Sequence, residues 1–142
     1  MSRVGAGIGV ELHVDSFEAV KDFYQEIGFT VVWETPAEGK KGYLVMELES
    51  NLLNFWCGTT SVHEHSYFKN FSDSQNGKGV ELILQLEDID LFYKVCQEKI
   101  SDNILSNLEK KPWGLRDFRI KDCNGFYLRA TEQFDPSSKR EA

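Results

Sequence analysis

KPWGLRDFRIKDCNGFYLRATE, residues 111–132, is the stretch of this sequence that decides the fold. Polar and apolar residues alternate along Asp117–Lys121 and again along Phe126–Thr131, and an Asp-Cys-Asn-Gly turn separates the two runs. Alternation on both sides of a turn that contains Gly predicts a β-hairpin. A fainter version of the same unit occurs earlier in the chain, which indicates an internal duplication.

The duplication is clearest at two segments in which apolar residues recur at helical spacing, Ser16–Ile27 and Asp88–Lys99. When Ser16 is aligned with Asp88, the apolar positions of the two helices coincide, and so do those of the strands that precede them. The matched strand residues are Val10, Leu12 and Val14 in the first half and Leu82, Leu84 and Leu86 in the second. Agreement of helix, preceding strand and following hairpin supports a repeated module.

Three strand-like runs follow each helix, so the predicted element order is β-α-β-β-β, twice. The runs are Phe29–Glu34, Tyr43–Glu49 and Leu52–Cys57 in the first half, and Ser106–Lys110, Asp117–Lys121 and Phe126–Thr131 in the second. The predicted fold class is α+β, with two tandem β-α-β-β-β modules that form a curved mixed sheet and helices on its convex face. We expect a single domain over residues 1–142, with module one at about 8–58, a linker at 59–78, module two at about 79–132 and a mobile tail at 133–142.

The composition is that of a globular, acidic chain. Hydrophobic residues make up 41% and aromatic residues 13% of the 142 positions, which is enough to build a buried core. The 16 Lys and Arg residues against 23 Asp and Glu give a net charge of −7. This balance argues against nucleic acid as a partner, because phosphates require a basic surface. It is compatible with a cationic ligand, although most acidic surfaces serve solubility.

The remaining motifs favour a cytoplasmic protein. No apolar run reaches the length of a membrane span, and the first ten residues lack the hydrophobic segment of a signal peptide. Cys57, Cys96 and Cys123 are widely spaced and form no CxxC pair, which favours reduced thiols. The motif His63-Glu64-His65 is a candidate metal pair, but such clusters more often lie solvated on a surface.

Strand alternation predicts a sheet face that the helices leave uncovered. Apolar residues at alternate positions face the helices, so the intervening residues share the opposite face. These are Gly9, Glu11, His13, Leu52, Asn54 and Trp56 in the first half, and Glu81, Ile83, Gln85, Tyr127, Arg129 and Thr131 in the second. The mixture of charged, amide and aromatic side chains favours a concave ligand cleft over the alternative, an ordinary solvent-facing sheet.

The paired modules resemble the vicinal oxygen chelate superfamily, which includes glyoxalase I, extradiol dioxygenases, fosfomycin-resistance thiol transferases and bleomycin-resistance proteins. The resemblance extends from about Ile8 to Glu132 and rests on SFEAVKDFYQEIGF and PWGLRDFRIKDCNGFYLRATE. The first motif identifies only the superfamily, whereas the hairpin that begins Pro112-Trp113-Gly114 is most similar to the bleomycin-binding branch.

Enzymes of that superfamily hold a divalent metal with His and Glu side chains, one from each of four strands. The resemblance carries these positions onto Gly9, Asn54, Glu81 and Arg129. Only Glu81 is an ordinary metal ligand, and Arg129 would repel a cation. We therefore expect no metal, no other cofactor and no catalytic residue. A register shift of two residues would bring in Glu11 or His13 and keep a metal site conceivable.

The resemblance implies a metal-free homodimer that sequesters a cationic heteroaromatic ligand, such as a bleomycin-like antibiotic, in clefts at the subunit interface. Trp113 is the aromatic residue matched by motif, and packing of the hairpin edge is its alternative role. The full set of expected ligand-binding residues is Trp113, Tyr43, Trp56, Tyr127, Glu11, His13, Asn54, Glu81 and Arg129, with Trp33 and Glu47 as further candidates. Arg129 is a cation in a cleft expected to bind a cation, so it either pairs with Glu81 or Glu11 or indicates an anionic ligand.

Two other classes of function stay open. One is a metal-dependent lyase, thiol transferase or dioxygenase of the same superfamily, which the metal content of the purified protein would distinguish. The other is a dimeric interaction module without a small-molecule role, for which a filled and closed cleft would be the sign.

Overall fold

The computed structural model describes residues 9–38, 41–57 and 79–134, and it confirms the predicted α+β fold of two β-α-β-β-β modules. Each module forms a four-stranded mixed sheet of its own, and the two sheets belong to separate units of the chain. The predicted linker, the motif His63-Glu64-His65 and all but the first two residues of the predicted tail lie outside the described residues.

The first unit follows the predicted order. Its elements are β1 (Glu11–Val14), α1 (Phe17–Glu26), β2 (Thr30–Glu38), β3 (Lys41–Leu48) and β4 (Asn51–Cys57). The strands lie in the order β1-β4-β3-β2, with β1 parallel to β4 and the other neighbours antiparallel. The helix α1 begins where Ser16 Oγ accepts a hydrogen bond from Ala19 N at 3.2 Å. It ends before Gly28, whose φ of 104° is a conformation that glycine adopts without strain.

The second unit repeats this arrangement. Its elements are β5 (Leu82–Leu86), α2 (Ile89–Lys99), a short 3-10 helix (Ser101–Asn103), β6 (Ile104–Lys110), β7 (Arg116–Lys121) and β8 (Tyr127–Glu132). The strand order is β5-β8-β7-β6, and β5 is parallel to β8. The turn between β7 and β8 is held by Asp122, whose Oδ1 accepts hydrogen bonds from Asn124 N and Phe126 N, both at 2.8 Å. This local bonding explains why the Asp-Cys-Asn-Gly sequence forms the hairpin.

Each sheet has one apolar face that packs against the helix of its own unit. In the first unit the ring of Tyr24 on α1 lies 5.5 Å from that of Phe55 on β4, and both side chains are fully buried. In the second unit Phe118 on β7 contacts Phe92 and Tyr93 on α2, with ring centroids 5.9 and 4.7 Å apart. Neither helix of the described residues is long and apolar enough to cross a membrane. The face of each sheet opposite its helix, called here the open face, carries most of the polar strand residues.

Candidate functional site

The open face of the first sheet brings together five of the predicted site residues. The register of β1 and β4 sets Glu11 beside Asn54 and His13 beside Trp56, and β3 sets Tyr43 beside Trp56. Residues paired across neighbouring strands project from the same face of a sheet. The open face of the first sheet is therefore a continuous surface of polar and aromatic side chains.

Four aromatic rings form two pairs on this face. The ring centroids of His13 and Trp56 are 5.0 Å apart, and those of Trp33 and Tyr43 are 6.0 Å apart. Both pairs are tilted, with interplanar angles of 48° and 47°. Trp33 is 53% exposed, so a large apolar ring remains in contact with solvent. Flat, accessible aromatic surface of this kind suits a planar ligand.

Glu11 is the central acid of the aromatic face. Its Oε2 lies 3.0 Å from His13 Nε2, and its carboxylate accepts a hydrogen bond from the hydroxyl of Tyr43. Partial burial, together with this hydrogen bond and the negative charge of Glu11, raises the pKa of Tyr43 to about 12. Glu47 lies on the same face, opposite Leu52. The face therefore carries two carboxylate side chains among its rings.

The contact between Tyr43 and Glu11 gives the protein a measurable alkaline transition. Because the folded chain holds the Tyr43 proton more tightly than the unfolded chain, this group stabilises the fold fully below pH 10.0, and its contribution is lost as the pH rises towards about 12. We expect Glu11→Gln to lower the pKa of Tyr43 towards its usual 10.0. The measurement is tyrosinate absorbance against pH, with Tyr43→Phe subtracted; an unchanged Tyr43 titration in Glu11→Gln would contradict the contact.

The side chain of Asn54, also on the open face, is hydrogen-bonded to the backbone. Its side-chain Nδ2 donates a hydrogen bond to the carbonyl oxygen of Val10 at 2.9 Å. The backbone N–H of Asn54 is 3.3 Å from the same oxygen. The amide therefore ties β4 to the chain entering β1 and holds the register of the two strands.

The open face of the second sheet is a network of charged side chains. Arg119 on β7 lies directly opposite Arg129 on β8. Arg119 donates from Nε to Glu81 Oε1 at 3.1 Å and from Nη1 to Asp117 Oδ1 at 2.6 Å. Arg129 Nε lies 3.8 Å from Glu81 Oε2. Glu81 is therefore the acid between the two guanidinium groups, and it is one of the two partners that the sequence suggested for Arg129.

Trp113 lies in the turn before β7 and faces the same network. The Cζ atom of Arg129 is 6.0 Å from the centroid of its ring, which is within the range of a cation–π contact. The turn is closed by a hydrogen bond from Gly114 N to Lys111 O at 2.9 Å. Tyr127, the remaining predicted residue, is half-buried on β8 opposite Lys121. Arg129 thus lies close to two other predicted residues, Glu81 and Trp113.

Asp117 and Arg119 were not among the residues predicted for the site. They lie on β7, where Arg119 bonds both Glu81 and Asp117, whereas the sequence argument assigned no open-face residue to this strand. The sequence shows the alternation of β7, because Phe118 and Ile120 are the apolar residues on either side of Arg119. Both are fully buried in the structure. Applying the same alternation to β7 would have placed Asp117 and Arg119 on the open face.

The four positions at which the resemblance expects metal ligands do not fit a divalent cation. Gly9 has no side chain, the Asn54 amide is bonded to a backbone carbonyl, and Arg129 brings a guanidinium beside Glu81. A shifted register would use Glu11 and His13, which lie together but supply only two ligands. Within the described ranges, no three His, Cys, Asp or Glu side chains are grouped so that they could hold a metal ion.

The chain belongs to the glyoxalase/bleomycin resistance protein/dioxygenase superfamily, whose family model matches residues 9–129. This match confirms the resemblance inferred from the first helix motif and the final hairpin. No curated protein matches the chain in sequence.

Several solved structures share the fold at low sequence identity. TioX from Micromonospora sp. ML1 is 20% identical with a TM-score of 0.68, and the match covers 92% of this chain and 100% of that chain. A bleomycin-binding protein complexed with bleomycin is 19% identical with a TM-score of 0.62, over 92% of this chain and 100% of its own. A bleomycin resistance determinant encoded on the transposon Tn5 is 20% identical with a TM-score of 0.56, covering 89% of this chain and 98% of that one. At these identities the likeness establishes a shared fold.

Proposed function

We propose that this protein binds and sequesters a small cationic heteroaromatic molecule, such as a bleomycin-like antibiotic, without a metal and as a homodimer. The observation that carries the proposal is the open face of the first sheet, where two pairs of aromatic rings surround Glu11. The expected ligand-binding residues there are Glu11, His13, Tyr43, Asn54 and Trp56, with Trp33 and Glu47 as further candidates. Trp113, Glu81, Tyr127 and Arg129 are the expected contributions of the second sheet.

The charge of the first open face favours a cation. Glu11 and Glu47 contribute two carboxylates, and none of the described side chains of this face is Lys or Arg. A planar cation on this surface would gain stacking area on the rings, cation–π attraction and attraction to the two acids. A neutral ring of the same shape would gain the stacking alone.

Membership of the superfamily supports small-molecule binding as the function. The side chains at the four expected metal-ligand positions argue against metal chemistry. Two of the similar structures are named for bleomycin binding or resistance, although their identity to this chain is about 20%. Three of the four expected ligand positions carry glycine, an amide bonded to backbone and a guanidinium, so the described residues offer no ligand set for the Lewis-acid step of the superfamily enzymes. About one transition metal per chain, retained through dialysis, would instead support the enzyme alternative.

A homodimer is part of the proposal because one four-stranded face cannot enclose a ligand by itself. Ligand sites are concave and cover most of the ligand surface, so a second surface must face the rings. A two-fold pair of chains would supply such surfaces symmetrically. Light scattering should give the mass of two chains at micromolar concentration, and the mass of one chain would remove the dimer from the proposal.

The test compares a cation with a neutral ring of the same shape. N-methylquinolinium is expected to quench Trp fluorescence and to bind at least about tenfold more tightly than quinoline, since cation–π and carboxylate attraction add to stacking. Glu11→Gln and Trp56→Ala should each weaken binding of the cation by about 1–3 kcal/mol. Metal-free bleomycin serves as the larger probe.

The control variant is Glu18→Gln, which removes one negative charge from the exposed first turn of α1. It should leave the affinity for N-methylquinolinium unchanged, because exposed charges at a distance are screened. Equal affinity for quinoline and N-methylquinolinium, or equal losses in Glu11→Gln and Glu18→Gln, would refute a cation site on the first open face.

A further inference from the structure

Two arginines lie directly opposite each other on the open face of the second sheet. Arg119 and Arg129 form a cross-strand pair between β7 and β8, and their side chains are only 17% and 19% exposed. Like charges in opposed positions destabilise a sheet. The pair therefore needs either full compensation by acids or a functional reason.

Arg119 is fully compensated. Its Nε donates to Glu81 Oε1, and its Nη1 donates to Asp117 Oδ1, which belongs to a side chain without exposure to solvent. Two charge-assisted hydrogen bonds hold this guanidinium in one orientation. Arg119 is thus a fixed part of the sheet and secures Glu81 at the same time.

Arg129 is not compensated to the same extent. Its Nε is buried and has no hydrogen-bond partner in the described part of the chain. The nearest acid oxygen, Glu81 Oε2, is 3.8 Å away, beyond hydrogen-bond distance. The Arg129 Cζ atom lies 6.0 Å from the centroid of the Trp113 ring, and a cation–π contact uses none of its N–H donors. Within the described part of the chain, no hydrogen bond therefore holds the Arg129 guanidinium, which lies next to a flat aromatic ring.

We infer that Arg129 binds the carboxylate of a planar aromatic small molecule, with Trp113 beside the ligand ring, on the open face of the second sheet. A guanidinium matches a carboxylate with two parallel hydrogen bonds. A singly charged carboxylate fits better than a phosphate, because Glu81 stands close enough to repel a dianion. The proposed function also uses Glu81, Trp113 and Arg129, but its test rests on Glu11 and Trp56 of the first sheet, so the two proposals can fail independently.

The experiment compares two ligands that differ only in the ionised group, indole-3-carboxylate and indole-3-carboxamide, by calorimetric titration of the full chain at pH 7. The carboxylate should bind at least about tenfold more tightly, the range expected for a charge-assisted pair. Arg129→Gln should abolish this preference, and Arg129→Lys should retain part of it, because lysine keeps the charge but not the two-pronged geometry. Trp113→Ala should weaken both ligands.

Two further variants separate a binding role from a structural one. Glu81→Gln removes the competing negative charge while keeping an acceptor for Arg119, so it should raise carboxylate affinity severalfold; a purely structural network would lose affinity or stability instead. Arg116→Gln removes an arginine that is paired with Asp90 and Glu132. Arg116→Gln should leave the preference for the carboxylate over the carboxamide unchanged.

Three results would overturn the inference. They are equal affinity for the carboxylate and the carboxamide, a preference that survives in Arg129→Gln, and tighter binding of phenyl phosphate than of indole-3-carboxylate. If Arg129→Gln does not fold, judged by circular dichroism, the opposite changes expected in Arg129→Lys and Glu81→Gln decide the question.

Discussion

Replacing Arg119 by methionine should lower the free energy of unfolding by about 3–5 kcal/mol, the range for breaking a buried ion pair from one side. The reason is Asp117, which is fully buried and whose Oδ1 accepts from Arg119 Nη1 at 2.6 Å. Without Arg119 the carboxylate stays inside the protein with no compensating charge at that distance. Urea denaturation measured by circular dichroism gives the difference directly.

Two further variants test whether the loss of stability in Arg119→Met comes from the buried carboxylate of Asp117. Adding Asp117→Asn to Arg119→Met should recover part of the stability, because the uncompensated charge is then gone. Arg116→Met, which removes an arginine paired at the surface with Asp90 and Glu132, should lower the stability far less, because exposed ion pairs contribute little. A loss in Arg119→Met no larger than in Arg116→Met would show that the pair with Asp117 contributes little.

The second large effect is expected at Phe118, between the two residues of that pair. Phe118→Ala should lower the free energy of unfolding by about 3–5 kcal/mol, since the ring is fully buried and the cavity would lie against α2. Phe118→Leu should lose less, because it leaves a smaller cavity. Leu105→Ala on β6 is the control: this leucine is half exposed, and its loss should be below about 1 kcal/mol. Similar losses at Phe118 and Leu105 would contradict the assigned core.

Phe118 also connects stability to the open face. Successive residues of β7 point to opposite sides, so the ring of Phe118 anchors the strand on α2 while Asp117 and Arg119 project to the open face. The orientation of Arg119, and through it the position of Glu81, therefore depends on the apolar contact behind it. We expect core variants of β7 to alter ligand binding as well as stability.

The fold could be predicted from the sequence because both of its signals are local. Helical spacing in Ser16–Ile27 and Asp88–Lys99 and alternation in the final hairpin each depend on a few neighbouring residues, and their repetition supplied the topology. The face of a regular strand could be predicted in the same way, as for Glu11 and His13 on β1. Which charged side chains pair with each other could not be predicted from the sequence. The distances from Glu81 to the two arginines depend on the rotamers of three long side chains.

Trp33 shows a second limit of reading a strand by alternation. Counting from the buried Phe29, a regular β2 would point Trp33 towards α1. The pairing with β3 shifts between Val31 and Trp33, so that Trp33 lies opposite Val45 on the open face. The inserted residue of a bulge reverses the faces of all residues beyond it. No residue type in this stretch predicts the bulge. From the sequence alone, Trp33 was a site candidate only because of its proximity in the first module.

The irregular β2 also protects the first sheet from unwanted assembly. This strand is at the end of the strand order and exposes Val31, Val32 and Trp33, a combination that would invite strand addition by another molecule and eventual aggregation. Its pairing is interrupted twice, after Val31 and again between Thr35 and Glu38, where Pro36 has no N–H to donate. A strand that approached this edge would not meet a regular row of backbone donors and acceptors. The protein can therefore keep exposed aromatic rings on this sheet and still resist fibril growth from that edge.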